Sequence, residues 1–190
     1  MKLELFIDDN DIYKKIKKYK DKDFIFVLKD NNKILDINDI NYLENINSKW
    51  ILYSIIASNI KNIEKRYRYI YDVVCDYLDN EFKEKNICQF NNNRCVGVEK
   101  GFHCNESIYG CCYGRTRGIC KYLKNGKCSI KSISCKLFVC RYLKKNYKIK
   151  YDTNNIPLLK YFFNWKQKRI IEDSLFIDKE IIINNLLKLK

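Results

Sequence analysis

The chain has 190 residues, of which 46% are hydrophobic, so it is long enough to bury the core of one domain or of one domain with a subdomain. It contains six glycines and one proline, which argues against all-β folds built on many tight turns. The net charge of +14 favours polyanionic partners such as nucleic acid. Much of the lysine lies among acidic residues, as in KYKDKD, so nucleic-acid binding is the less favoured explanation of this charge.

Two short strands and a helix are predicted near the N-terminus. LELFI and FIFVLK are apolar runs of strand length, and a lysine-rich helix is predicted between them over residues 11–20. DNNK predicts a turn after the second strand, and DIND predicts the start of the next helical region.

The clearest predicted element is one long helix over residues 48–84. Its apolar residues recur three and four positions apart, which places them in one stripe: Tyr53, Ile56, Ile60, Ile63, Tyr67, Ile70, Val74 and Tyr77. A helix of this length needs partners to bury its stripe, so we expect it to be the spine of a bundle. Cys75 lies within this helix and is predicted to be a small buried core residue.

The C-terminal region is predicted to be helical as well. Asn154 or Asn155 is predicted to cap a helix that has Pro157 in its first turn, and Asp178 to cap the last helix. The predicted fold class is therefore mainly α, or α+β with a small N-terminal strand pair. It is a helical bundle with an embedded cysteine-rich, loop-rich metal-binding module. The predicted regions are 1–87 with the long helix, 88–147 with the module, and 148–190 with C-terminal helices that pack on the first region.

Nine of the ten cysteines lie between residues 88 and 140, and all six glycines lie between residues 97 and 126. Thiolates are soft donors that suit zinc and iron–sulfur clusters, and glycine permits the tight backbone conformations that ligand loops require. The N-terminal stretch MKLELFIDDND does not resemble a signal peptide, and no apolar run is long enough to span a bilayer. We therefore expect a cytoplasmic protein, in which cysteines bind metal more often than they form disulfides.

The spacing of the cysteines leaves the number of centres open. No CxxC occurs, which excludes the usual zinc ribbon, and a single histidine excludes the finger with two cysteines and two histidines. Cys111 and Cys112 are adjacent, and neighbouring side chains of an extended segment point to opposite sides. They can therefore serve two centres, or one can bind metal while the other packs. Eight or nine donors suffice for two four-ligand sites, or for one cluster with spare thiols.

The segment from Phe102 to Tyr142 resembles the YkgJ-like cysteine cluster family, which is described as chelating zinc or iron. The resemblance rests on GCC at 110–112, CKYLKNGKCSI at 120–130 and CKLF at 135–138. It implies metal chelation, and the predicted ligand set adds Cys95 and Cys140 from the same module. The predicted metal ligands are Cys95, Cys104, Cys111, Cys112, Cys120, Cys128, Cys135 and Cys140.

Two further features of the module suggest binding chemistry. His103 can act as a nitrogen ligand or as a proton carrier near the centre, or it can simply be packed or solvent-exposed. Arg115 and Arg117, in GRTRG, are predicted to bind an anionic group such as a phosphate, a carboxylate or an RNA backbone; the alternative is that they offset thiolate charge.

The predicted function is metal binding or sensing with zinc or an iron–sulfur cluster, with a protein partner as a further hypothesis. The alternatives are an enzyme whose metal centre performs redox or modification chemistry, and a basic zinc protein that binds nucleic acid. A cysteine–histidine nucleophile is less favoured, because one nucleophile needs one cysteine and not nine.

Overall fold

The computed structural model describes residues 3–7, 9–19, 23–28, 33–35, 46–91, 95–100, 120–124 and 127–189. Its helices in chain order are α1 (Ile12–Lys18), α2 (Ile46–Asn59), α3 (Ile63–Lys85), α4 (Val96–Glu99), α5 (Ile133–Leu137), α6 (Arg141–Tyr147), α7 (Pro157–Phe162), α8 (Trp165–Asp173) and α9 (Lys179–Leu187). Its strands are β1 (Leu3–Phe6), β2 (Phe24–Leu28), β3 (Lys33–Leu35), β4 (Leu123–Lys124) and β5 (Lys127–Cys128). The predicted mainly helical class with a small N-terminal sheet is confirmed.

The N-terminal strands form a β–α–β unit. β1 pairs with β2 in parallel, with Leu3 opposite Phe24, and α1 connects the two strands. Strand β3 then pairs with β2 in the antiparallel direction, so the predicted strand pair carries a third strand. The predicted turn at DNNK and the predicted helix start at DIND lie largely outside the described residues.

The chain divides into two compact units, the first of which comprises Met1–Ile70 and Ile156–Asn164. Its core joins the sheet, α1 and α2 through buried aliphatic and aromatic side chains: Leu5, Ile7, Ile12, Ile16, Phe26, Ile51 and Ile55. Helix α7 packs on α1 and α2 in the same unit. Pro157 occupies the first turn of α7, as predicted, although Ile156 is the capping residue rather than Asn154 or Asn155.

The prediction of a single long helix over residues 48–84 is wrong, because residues 60–62 are not helical and separate α2 from α3. Asn62 caps α3: the backbone N–H of Lys65 donates to Asn62 Oδ1 at 2.9 Å. The guanidinium of Arg66 donates to the carbonyl oxygen of Ile60, from Nε at 2.9 Å and from Nη2 at 2.6 Å. These bonds satisfy backbone groups that a helix end leaves without partners, which an apolar stripe cannot reveal.

The second unit comprises Tyr71–Asn155 and Trp165–Lys190, and it contains all ten cysteines. Helices α5 and α9 each pack on α8. The core includes Leu78, Ile133, Ile171, Ile182 and Leu186, all fully or almost fully buried. The division of the sequence at residues 87 and 147 stays a prediction.

Three lysines of the second unit pair with aspartates on one side of α3. Lys179 Nζ lies 2.7 Å from both carboxylate oxygens of Asp72, Lys131 pairs with Asp76, and Lys136 pairs with Asp79. Part of the positive charge is therefore paired with aspartates within this unit.

The last helix begins as the sequence predicts. Asp178 caps α9, with its Oδ1 accepting the backbone N–H of Glu180 at 3.0 Å. None of the helices in the described ranges combines the length and the apolar content that crossing a membrane requires.

Replacing Asn62 by alanine should lower the free energy of unfolding by about 1 kcal/mol, because the cap of α3 is lost. Denaturant unfolding measures this loss. Asn80→Ala is the matched control, since Asn80 is exposed in the middle of the same helix, where alanine has the higher helix propensity. Equal effects of the two substitutions would show that Asn62 does not cap the helix.

Candidate metal centre

Seven of the ten cysteines lie in the described residues, and none of the seven is in a disulfide: Cys75, Cys88, Cys95, Cys120, Cys128, Cys135 and Cys140. The structure of that part of the chain therefore contains no disulfide framework. The other predicted site residues lie outside the described ranges: Cys104, Cys111, Cys112, His103, Arg115 and Arg117.

One set of thiols, the Cys88 group, consists of Cys88, Cys95 and Cys140. Cys88 follows the end of α3, and its carbonyl oxygen accepts the backbone N–H of Val96 at 3.0 Å, which fastens α4 to this segment. Cys95 immediately precedes α4, and its Sγ lies 3.9 Å from the position that a Cβ on Gly97 would occupy. The Cβ of Tyr142 lies at the same distance from that position. Since Cys140 is the capping residue of α6, two residues before Tyr142, these contacts bring the three segments together.

The Cys88 group rests on a small hydrophobic cluster of its own. Its buried members are Ile87, Val96, Val139 and Leu143. Cys88 and Cys140 pack against this cluster. Burial, together with charge repulsion from the neighbouring Cys95 and Cys140, raises the pKa of the Cys88 thiol to about 12. The thiol is therefore held in its neutral form when no cation is present.

A second set, the Cys120 group, consists of Cys120, Cys128 and Cys135. Strands β4 and β5 form a hairpin in which Cys128 lies opposite Leu123. The backbone N–H of Leu123 donates to the carbonyl oxygen of Cys120 at 2.9 Å, so Cys120 lies at the open end of this hairpin. Four residues link the end of β5 to the start of α5, and Cys135 is the third residue of that helix.

Helix α5 places Cys135 through bonds at its first turn. The backbone N–H of Ile133 donates to the hydroxyl of Tyr71 at 3.0 Å, and that of Cys135 donates to Ser132 Oγ at 3.4 Å. The Sγ of Cys135 in turn accepts the backbone N–H of Phe176 at 3.1 Å. Burial raises the pKa of Cys135, the bonds from Ser132 and Phe176 oppose this rise, and the charges of Cys128 and Cys120 add to it.

Cys75 belongs to neither group. It is fully buried in α3, as predicted for a core residue. Burial raises its pKa to about 12, although the ammonium groups of Lys136 and Lys131 act in the opposite direction. We therefore assign Cys75 a packing role.

Neither group is a closed metal site by itself. Among the described residues, no three cysteine, histidine, aspartate or glutamate side chains are arranged so that they could hold a metal ion. Metal binding would therefore require the thiols of a group to draw closer together, with a further ligand to complete four-fold coordination.

The structure places five of the eight predicted ligands in the two groups of thiols, and Cys88 lies beside two of them. Cys95 and Cys140 lie in the Cys88 group, whereas Cys120, Cys128 and Cys135 form the other. Cys88 was not among the predicted ligands. The sequence feature that could have placed Cys88 with the other cysteines is its position at the start of the cysteine-rich stretch.

No family model, no characterised protein and no solved structure shows a significant match to this chain. The resemblance to the YkgJ-like family therefore stays a prediction from the quoted motifs.

Replacing Tyr71 by phenylalanine should lower the free energy of unfolding by about 1–3 kcal/mol. The substitution leaves the buried backbone N–H of Ile133 without its acceptor. Thermal or denaturant unfolding measures the loss. The control is Tyr69→Phe, which removes a hydroxyl from a half-buried tyrosine of the same helix; we expect a change within about 0.5 kcal/mol. Equal losses in both variants would contradict the role of the Tyr71 hydroxyl.

The raised pKa of Cys75 predicts a loss of stability in alkali. The unfolded thiol loses its proton near its ordinary pKa of 9.0, whereas the folded thiol keeps it up to about 12. Its contribution is thus fully present below pH 9 and is lost as pH rises toward 12. Between pH 8 and pH 10 the free energy of unfolding should fall by roughly 1.3 kcal/mol more in the wild type than in Cys75→Ala. Parallel pH curves for the two proteins would refute this.

Proposed function

We propose that this chain binds a metal through its cysteine-rich module, either as zinc or as an iron–sulfur cluster. The observation that supports this most directly is the grouping of the thiols. Six of the seven described cysteines fall into two groups of three, and none of them is in a disulfide. Cysteines that served only as small core residues would not need to neighbour one another.

Charge gives this grouping a physical reason. Three thiolates in one place repel one another, and burial makes each of them less favourable still, as the raised pKa of Cys88 indicates. A bound cation reverses both effects, because it compensates the negative charge and displaces the thiol protons. The arrangement is thus unfavourable for thiolates without a counter-charge, and a bound metal would remove this cost.

The donor type restricts the metal to two classes. Thiolates suit zinc and iron–sulfur clusters, whereas calcium and magnesium require oxygen ligands. The backbone N–H of Phe176 would remain on the sulfur of Cys135 when this residue is deprotonated, and hydrogen bonds of this kind stabilise a bound thiolate and tune a cluster's potential.

Metal binding also supplies folding energy that the module lacks. Among the residues that the structure describes, the hairpin of the Cys120 group has two residues in each strand, and the cluster beneath the Cys88 group has four buried members. Such small elements have little stability of their own without a cross-link, and the free energy of metal binding at a thiolate site adds directly to the free energy of folding.

The full chain purified without oxygen should contain stoichiometric zinc, or iron together with acid-labile sulfide. Elemental analysis and a visible spectrum distinguish them, because zinc thiolates are colourless and iron–sulfur clusters absorb in the visible range. Removing the metal should lower the melting temperature, since the module loses its cross-link.

Cys75→Ala serves as the control for that experiment, because Cys75 lies outside both groups and should leave the metal content unchanged. A metal-free preparation whose melting temperature does not respond to added zinc or to cluster reconstitution would rule the proposed function out.

A further inference from the structure

We propose that the first unit carries a surface that binds the phosphate backbone of a nucleic acid. This α1–α7 surface consists of four lysines on the two helices and of an arginine near the start of α3: Lys14, Lys17, Lys18, Lys160 and Arg66. The inference goes beyond the proposed function, because none of these residues belongs to the cysteine-rich module.

The packing of α7 on α1 brings the lysines of the two helices together. The rings of Tyr13 and Tyr161 stack across the two helices, with their centroids 5.3 Å apart. Lys17 Nζ donates to the carbonyl oxygen of Tyr161 at 2.8 Å and lies 5.9 Å from the centre of the Phe162 ring. Lys160 Nζ lies 5.2 Å from the centre of the Tyr161 ring. Ammonium groups from both helices are therefore held close to Tyr161, in part by their attraction to the aromatic rings.

Arg66 adds a third cation to this place. Tyr67, the next residue of α3, packs against Phe163 at the end of α7, with ring centroids 5.0 Å apart. Burial, together with the nearby positive charge of Arg66, lowers the pKa of Lys17. Two like charges in a partly buried place repel each other, and a bound anion would remove this cost.

The positive charge of this surface is largely unpaired. Lys14 pairs with Asp11 at 2.8 Å, and both side chains are exposed. The other four cations form no ion pair with any carboxylate of the described residues. The second unit differs, since its three lysines beside α3 are each paired with an aspartate. The inference therefore rests on unpaired charge at one place and not on the net charge of the chain.

The arrangement of the cations favours a polymer over a small anion. Lys14, Lys17 and Lys18 are three and four residues apart on α1, so they lie along one face of that helix. Lys160 extends the array onto α7. Such an array fits an anion whose charges repeat along its length, as the phosphates of a nucleic-acid strand do.

The two helices lack the exposed apolar face with which a helix binds a membrane. A helix that lies in a lipid surface inserts apolar side chains into it. Both α1 and α7 are described in full, and their leucines and isoleucines are buried in the core: Ile12, Ile16, Leu158 and Leu159. The surface therefore fits the phosphates of a nucleic acid better than a lipid surface.

Fluorescence anisotropy of a labelled single-stranded oligothymidylate, titrated with the full chain, tests this inference. The wild type should bind the strand with an affinity that falls as salt rises, with a logarithmic slope of about 0.7 for each phosphate neutralised. Combining Lys17→Gln, Lys18→Gln and Lys160→Gln should reduce that slope by about 2 and lower the affinity at low salt by at least about tenfold.

The matched control removes the same net charge from the second unit, by replacing three exposed lysines with glutamine: Lys144, Lys145 and Lys188. It should bind nearly as tightly as the wild type. An equal loss in both triple variants would show that only net charge matters and would overturn the proposed surface, as would a wild type that does not bind the strand at low salt.

Two further probes decide whether the partner is a nucleic acid. Equally tight binding of the wild type to vesicles of phosphatidylserine and phosphatidylcholine, or to polyglutamate, would overturn the nucleic-acid assignment in favour of a membrane or an acidic protein. Because Lys17 is packed in part, the double variant Lys18→Gln and Lys160→Gln replaces the triple variant if the latter fails to fold. A slope reduced by about 1.4 would support the surface, and an unchanged slope would overturn it.

Discussion

The cysteine-rich module depends on the docking of α5 against α3. A helix of five residues leaves most of its backbone donors without partners, and burying them would be costly. Tyr71 and Ser132 accept two of these N–H groups, from Ile133 and Cys135. Cys135 lies in this helix, the hairpin with Cys128 precedes it, and the extended link to Cys140 follows it. The docking of α5 therefore helps to position members of both thiol groups.

Electrostatics reinforces the same contact. Lys136 has only 3% of its side chain exposed, and a buried ammonium is stable only with a partner, which Asp79 provides. Asp72 and Asp76 hold Lys179 and Lys131 on the same side of α3, although these pairs are more exposed and contribute less. The high lysine content thus serves packing as well as solvation here, which weakens the case for reading the net charge as a nucleic-acid surface.

Elements with a strong local signal could be predicted from the sequence. The strands at LELFI and FIFVLK and the cap at Asp178 are predictable because an apolar run of strand length and capping chemistry are local properties. The break at residues 60–62 was missed because the apolar spacing runs straight through it, and only the side-chain bonds of Asn62 and Arg66 reveal it. The distribution of the cysteines into two groups depends on contacts between distant segments, such as Gly97 with Tyr142, and spacing along the chain does not contain that information.

The order of the cysteines in the sequence determines the length of the loop that each group spans. Cys120, Cys128 and Cys135 all lie in sequence between Cys95 and Cys140, so the Cys120 group lies inside the loop that a metal bound to the Cys88 group would close. A cross-link across a longer loop removes more conformational entropy from the unfolded chain, but the gain grows only with the logarithm of loop length. The outer loop, from 95 to 140, is three times as long as the inner one, from 120 to 135, which corresponds to about 1 kcal/mol. The inner group is also supported by its hairpin and by the docked α5, whereas the support described for the outer group is its small hydrophobic cluster and the backbone bond from Val96 to Cys88. A metal at the outer group would therefore contribute more to holding the module together than one at the inner group.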